Sequence, residues 1–124
     1  GYGLAEAEHM VPATGATMFR IGSITKQFTA AAILRLVEQK KLSLDDDLST
    51  YVPEFPLQGK KVTIRQLLNH SSGIKSYTDL GEVWAKKQPL ELSHEELLAR
   101  VADQPFDFEP GTDFAYNNTG YYLL

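Results

Sequence analysis

Cysteine is absent from the 124 residues, which excludes a disulfide framework, a thiolate nucleophile and any thiolate metal site, and leaves the redox compartment unread. Long apolar runs are missing too. The longest, Ala30 to Leu34, is far too short to cross a bilayer and is followed by Arg35, Glu38 and Lys40, so no membrane span is expected. There is no excess of basic charge: 12 Lys and Arg stand against 16 Asp and Glu, a formal charge of -4, and no nucleic-acid partner is expected. The sequence contains no G-x-x-x-x-G-K or G-x-G-x-x-G, so Gly1-Tyr2-Gly3 is not a phosphate loop. His9 and His94 stand apart from each other and from any matching carboxylate pair, and Asp45 to Asp47 lack the alternating spacing of a calcium loop. Neither a metal nor a cofactor is therefore expected. What remains is ordinary globular material. A hydrophobic content of 43% with 10% aromatics suffices for the core of one small domain spanning residues 1–124. The opening Gly1-Tyr2-Gly3 has no initiator Met or basic, apolar leader, and Tyr121 to Leu124 fall inside an apolar stretch that reads as a starting helix. Both patterns lead us to expect a partial domain, cut at both ends.

Local pattern divides the chain into helices and loops. Met18 to Ile21 read as a short strand or extended lead-in, broken by Gly22-Ser23. Ile24 to Gln39 contain no Gly or Pro and many good helix formers. This helix is apolar on nearly every side, the mark of an element buried in a larger protein. Leu42 to Asp45 should cap a segment running to Tyr51, where Pro53 and Pro56 force a stop. Thr63 should cap a short helix Ile64 to Asn69, closed by Ser71-Ser72-Gly73. Ser93 to Glu96 form a capping box ahead of a stripe of Leu97, Leu98 and Val101, ended by Pro105. After the turn at Pro110-Gly111, Phe114 and Tyr116 alternate as an extended piece, and Asn118 or Thr119 is expected to cap a last helix. Trp84, Phe106 and Phe108 read as core or rim hydrophobes, with an aromatic between Gly73 and Ser93 able to line a cleft.

The chemistry centres on Ser23-Ile24-Thr25-Lys26. Three-residue spacing at the start of a helix puts both side chains on one face, a turn apart. A serine hydroxyl is a poor nucleophile until a neighbour takes its proton, which a lysine can do if burial or other cations lower its pKa. Helix-start amides can hold the resulting oxyanion. The competing interpretation is an N-cap serine and a solvated lysine, because S-x-x-K arises by chance about once in every few chains of this length. Ser72-Gly73-Ile74-Lys75 is such a match, and its Gly73 and helix-end context point to turn chemistry. A second element is Tyr116-Asn117-Asn118. A phenol can act as a base when a cation depresses its pKa, and Lys26 could be that cation. Asn118 could accept from the lysine and donate to a substrate carbonyl. The alternative is a core or surface tyrosine followed by turn-forming asparagines.

Taken together, Met18 to Thr29, Leu42 to Leu48, Tyr51 to Glu54, Ile64 to Gly73 and Pro110 to Asn118 resemble, in order and separation, the serine β-lactamase-like family: class C β-lactamases, D,D-peptidases, D-amino-acid peptidases and related esterases. The resemblance covers nearly the whole chain. It implies an α/β (α+β) fold pairing a helical domain with an antiparallel sheet, of which this chain would be mostly the helical part. It implies Ser23 as acylated nucleophile, Lys26 as its activating neighbour, Tyr116 as general base or acid and Asn118 as substrate-orienting residue. The substrate would be a small-molecule or peptide-like amide or ester. The Y-x-N form is closer to class C enzymes and their peptidase relatives than to the S-D-N pattern of class A. A K-T-G or H-x-G motif and the strand giving a second oxyanion amide would lie beyond Leu124, so a second chain or segment could be needed to supply the sheet. His70, in the Leu-Leu-x-His-x-Ser-Gly stretch, is implied to be a structural hydrogen-bonder rather than a Ser-His relay. Relatives often work outside the cytoplasm, which favours a periplasmic or secreted location. The alternative function is a non-catalytic penicillin-binding-like protein, for ligand binding or as a scaffold, or an inactive fragment; intact Ser23, Lys26, Tyr116 and Asn118 argue against it.

Overall fold

A computed structural model of the chain describes residues 1–81 and 92–124; Trp84 lies outside them. In chain order the regular elements are strands β1 (Leu4–Glu6) and β2 (Val11–Pro12), then helices α1 (Thr25–Glu38), α2 (Ile64–Leu68), α3 (His94–Ala102) and α4 (Asn118–Leu123). Short 3-10 turns at Gly22–Ile24, Leu48–Thr50 and Tyr77–Asp79 join them. Among the described residues the single sheet is the antiparallel pair β1–β2. The expected helix-dominated chain is thus what is observed.

The core forms where two loop segments are stitched to α2. Leu48 N–H donates to Val62 O at 2.8 Å, Ile64 N–H to Asp46 O at 3.2 Å and Arg65 N–H to Leu44 O at 2.8 Å. These bonds satisfy backbone groups that burial would otherwise leave costly, and they draw Leu48, Val62, Ile64 and Leu67 into one cluster with Ile33, Phe55, Leu57, Ile74 and Val101. Each such side chain, once buried, contributes about 1.5–3 kcal/mol.

Helix starts follow their local signals. Thr63 and Ser93 each accept from the N3 amide while Gln66 and Glu96 reach back to the cap amide, completing two capping boxes, each cap worth about 1 kcal/mol. At the segment after Leu42 the cap is Asp47, which accepts from Ser49 N–H at 2.9 Å. Asp45 instead pairs with Arg65, and Asp46 accepts from Ser43 N–H and Tyr51 Oη. The cap of α4 is Asn117, not Asn118 or Thr119: its backbone is extended and its Oδ1 accepts from Gly120 N–H at 2.7 Å.

Two expectations are corrected. Met18 to Ile21 form no strand; Met18 is 96% exposed and has no ladder partner among the described residues. The β-hairpin lies earlier, at Leu4–Glu6 and Val11–Pro12, where every residue is exposed and no alternation of apolar and polar residues marked it. Its turn brings Glu6, Glu8 and His9 together, with His9 Nδ1 and Glu6 Oε1 2.8 Å apart, so His9 does not stand apart from carboxylates. All three are exposed, and His9 pairs with Glu6 rather than entering a built site. Within the described residues α1 buries Ile33 and leaves Phe28 and Leu34 exposed, as is Ile24 just before it.

Candidate active site

Ser23 and Lys26 sit at the entry to α1. Gly22 takes φ 53°, a left-handed conformation that glycine adopts without a Cβ penalty. The chain thereby turns into the 3-10 turn Gly22–Ile24 and then into α1. Ser23 is left exposed, while Lys26, one turn on, is half-buried.

The other half of the site is delivered by the segment before α4. Ala115 N–H donates to His70 O at 3.1 Å and Asn117 N–H to His70 Nδ1 at 3.0 Å. Asn117 is buried, caps α4 through Oδ1 and donates from Nδ2 to Ile74 O. With Asn117 used as the cap, the next side chain emerges on the cleft side: Asn118 Oδ1 accepts from Lys26 Nζ at 2.6 Å, across 92 residues of chain. Lys26 Nζ also lies 4.9 Å from the centre of the Tyr116 ring and 5.4 Å from that of Tyr121. Lys26 first and Ser23 second, both beside the phenol as hydrogen-bonding partners, hold the Tyr116 pKa below its ordinary value of 10.0, because each stabilises phenolate over phenol. All four residues singled out in the sequence therefore converge. A cleft of about 310 Å³ opens beside them, lined in part by Ser23, Lys26, Tyr77, Asn118, Tyr121 and Tyr122.

Some contributors escaped sequence reasoning. Asn118 is held by Ser76, whose Oγ accepts its backbone N–H at 3.1 Å, and by Thr78, whose Oγ1 accepts from Asn118 Nδ2 at 3.0 Å. Among the described residues one Nδ2 hydrogen stays available for a ligand carbonyl. Thr119 is fully buried; it donates to Lys75 O at 2.8 Å and accepts from Tyr77 N–H at 2.9 Å. A short run of hydroxyl residues after a helix carries no pattern that announces this role. Tyr77, Tyr121 and Tyr122 form an aromatic wall, and the buried part of Tyr121 donates its hydroxyl to Leu68 O.

His70 occupies a left-handed backbone position, φ 62°, just past the end of α2. Its ring lies against Tyr116 (4.7 Å between centroids), Tyr121 (5.1 Å) and, edge-on, Phe114 (5.9 Å). Burial first, and the Lys26 charge second, push its pKa below 6.5. An N–H can only donate, so the Asn117 amide requires an unprotonated Nδ1 and selects the Nε2–H tautomer. The contacts are those of a hydrogen-bonding support, and none joins His70 to Ser23 among the described residues. The second S-x-x-K is structural: Ser72 is buried, Lys75 Nζ donates to Asp107 Oδ1 at 2.7 Å, and a Cβ on Gly73 would fall 2.0 Å from Phe108 O.

A model of the family described as Beta-lactamase matches residues 1–124. Protein flp of Staphylococcus aureus (strain MRSA252) is 36% identical over 129 residues, with 100% of this chain and 25% of the relative covered. The octameric penicillin-binding protein homologue from Pyrococcus abyssi is 39% identical, TM-score 0.76, over 98% of this chain and 29% of its own. EstCE1, a hydrolase with promiscuous acyltransferase activity, is 30% identical, TM-score 0.80, over 98% of this chain and 35% of its own. The chain thus spans about a quarter to a third of the length of these relatives.

Proposed function

We propose, from the premise that this chain belongs to the beta-lactamase family of serine hydrolases, that it carries the nucleophilic half of an acyl-transfer site for amide or ester bonds, with Ser23 as nucleophile. The observation that supports this most directly is the convergence of Lys26 on Asn118 and Tyr116 beside Ser23. In the proposed first step the Ser23 Oγ–H proton passes to the Tyr116 phenolate as Oγ bonds to the substrate carbonyl carbon. The carbonyl oxygen becomes an oxyanion beside the amides at the start of α1. Tyr116 then returns the proton to the leaving nitrogen or oxygen, that bond breaks, and an acyl-Ser23 ester remains. Water then attacks the acyl carbon while giving a proton to Tyr116, and Tyr116 passes that proton to Ser23 Oγ as the C–Oγ bond breaks, releasing the acid and restoring the phenolate. Lys26 keeps the phenolate available by charge and hydrogen bonding, and Asn118 fixes Lys26 while offering its remaining amide hydrogen to the substrate carbonyl.

The test is intact mass of the natural polypeptide containing this sequence after exposure to a fluorophosphonate and, separately, to a fluorescent penicillin. One adduct on Ser23, lost in Ser23→Ala, is expected; the probe that reacts narrows the substrate to ester-like or β-lactam carbonyls. A folded polypeptide that takes up neither probe would sink the acyl-transfer proposal.

A further inference from the structure

We propose that His70 is a positioning residue for Tyr116: its neutral ring, by accepting the Asn117 amide hydrogen and packing on the Tyr116 ring, sets where the phenol oxygen stands relative to Ser23 and Lys26. The inference rests on the acyl-transfer reading of the same cleft. Two independent tethers flank Tyr116 in the chain, both from one residue: His70 O takes the Ala115 amide on one side and His70 Nδ1 takes the Asn117 amide on the other. Between them the phenol ring lies on the imidazole at 4.7 Å between centroids, tilted by 37°. Tyr116 itself is 48% exposed; Lys26 and Ser23 meet it at the phenol end, and the imidazole supports the face of its ring. His70 in turn is fixed by its place after α2, where it holds a left-handed conformation uncommon for a residue with a Cβ.

The device depends on protonation. The charged groups and phenols facing the imidazole are Lys26 from α1, Tyr116 from the preceding loop and Tyr121 from α4. A proton on Nδ1 would set N–H against N–H at Asn117 and add a cation near Lys26. The tether would then open, and the phenol would lose its register with Ser23.

Three measurements on the natural polypeptide decide the matter. Nitrogen NMR of the wild-type imidazole at neutral pH should show Nδ1 unprotonated and Nε2 carrying the hydrogen; a proton on Nδ1 overturns the proposal without any variant. Tyrosinate absorbance, with Tyr116→Phe identifying the Tyr116 component, should show that component titrating below an ordinary phenol. His70→Phe, which keeps a ring and loses the acceptor, should move it upward and slow fluorophosphonate labelling of Ser23 by roughly 100-fold. His70→Asn, which restores an acceptor and tolerates the left-handed backbone, should recover part of both. A His70→Phe protein with a wild-type circular dichroism spectrum and an unchanged Tyr116 titration refutes the positioning role. Failure of the wild type to label Ser23 would instead refute the acyl-transfer reading, while the NMR and the titration still decide on His70.

Discussion

Replacing Asn117 should weaken the whole arrangement, because one buried side chain performs two tasks. Its Oδ1 caps α4 by accepting from Gly120 N–H at 2.7 Å, and its Nδ2 donates to the carbonyl of Ile74, a residue only 2% exposed. Loss of the cap costs about 1 kcal/mol. An unpaired buried carbonyl adds roughly 1–3 kcal/mol. Asn117→Ala is therefore expected to lose about 2–4 kcal/mol in urea titrations, read as a lower midpoint at unchanged slope. Asn117→Asp separates the two contributions: aspartate caps a helix as well as asparagine does, yet it has no hydrogen for Ile74 O and places a carboxylate against it. We expect Asn117→Asp to lose at least about 2 kcal/mol despite its intact cap. If Asn117→Asp unfolds within about 0.5 kcal/mol of wild type, the Ile74 contact contributes nothing and the reasoning fails.

Four further outcomes are expected. Lys26→Met should raise the Tyr116 pKa toward its ordinary 10.0, since Lys26 is the leading cause of its depression; in wild type Ser23 labelling should rise with pH as phenolate forms, and in Lys26→Met that rise should move to higher pH. Acid should destabilise the fold through His70. Its folded pKa lies below 6.5, so between the two values the unfolded chain binds more protons; the contribution is complete above the unfolded value and is lost as pH falls through the folded one, and in His70→Phe that part of the pH dependence of the urea midpoint should vanish. Gly73→Ala should fail to fold or lose more than about 3 kcal/mol, because its Cβ would meet Phe108 O at 2.0 Å at a φ of 72°, whereas Ser72→Ala should leave probe labelling confined to Ser23; an adduct lost in Ser72→Ala would contradict a structural role for the second S-x-x-K.

What could be read from the residues alone was whatever is decided within a few positions of chain. Thr63 with Gln66, and Ser93 with Glu96, announce helix starts because a cap and its reciprocal partner are three residues apart. Ser23 and Lys26 lie one helical turn apart for the same kind of reason, and the family resemblance followed from motifs whose order is visible in one dimension. The hairpin at Leu4–Glu6 and Val11–Pro12 was not legible, because it buries neither face and so imposes no alternation. The cap of α4 lies one or two residues before the expected Asn118 or Thr119, since Asn117, Asn118 and Thr119 all have capping side chains and only the backbone at Asn117 is extended. That difference lets Asn118 reach Lys26. The contact spans 92 residues, and its geometry depends on Ser76, Thr78 and His70, none of which is near either partner in sequence. Sequence alone determined which chemistry-bearing residues exist and where the helices capped by Thr63 and Ser93 begin, because those are local choices of backbone and cap. Only the tertiary structure decided that Lys26, Asn118 and Tyr116 meet beside Ser23, because closing loops of that length depends on the packing of the core between them.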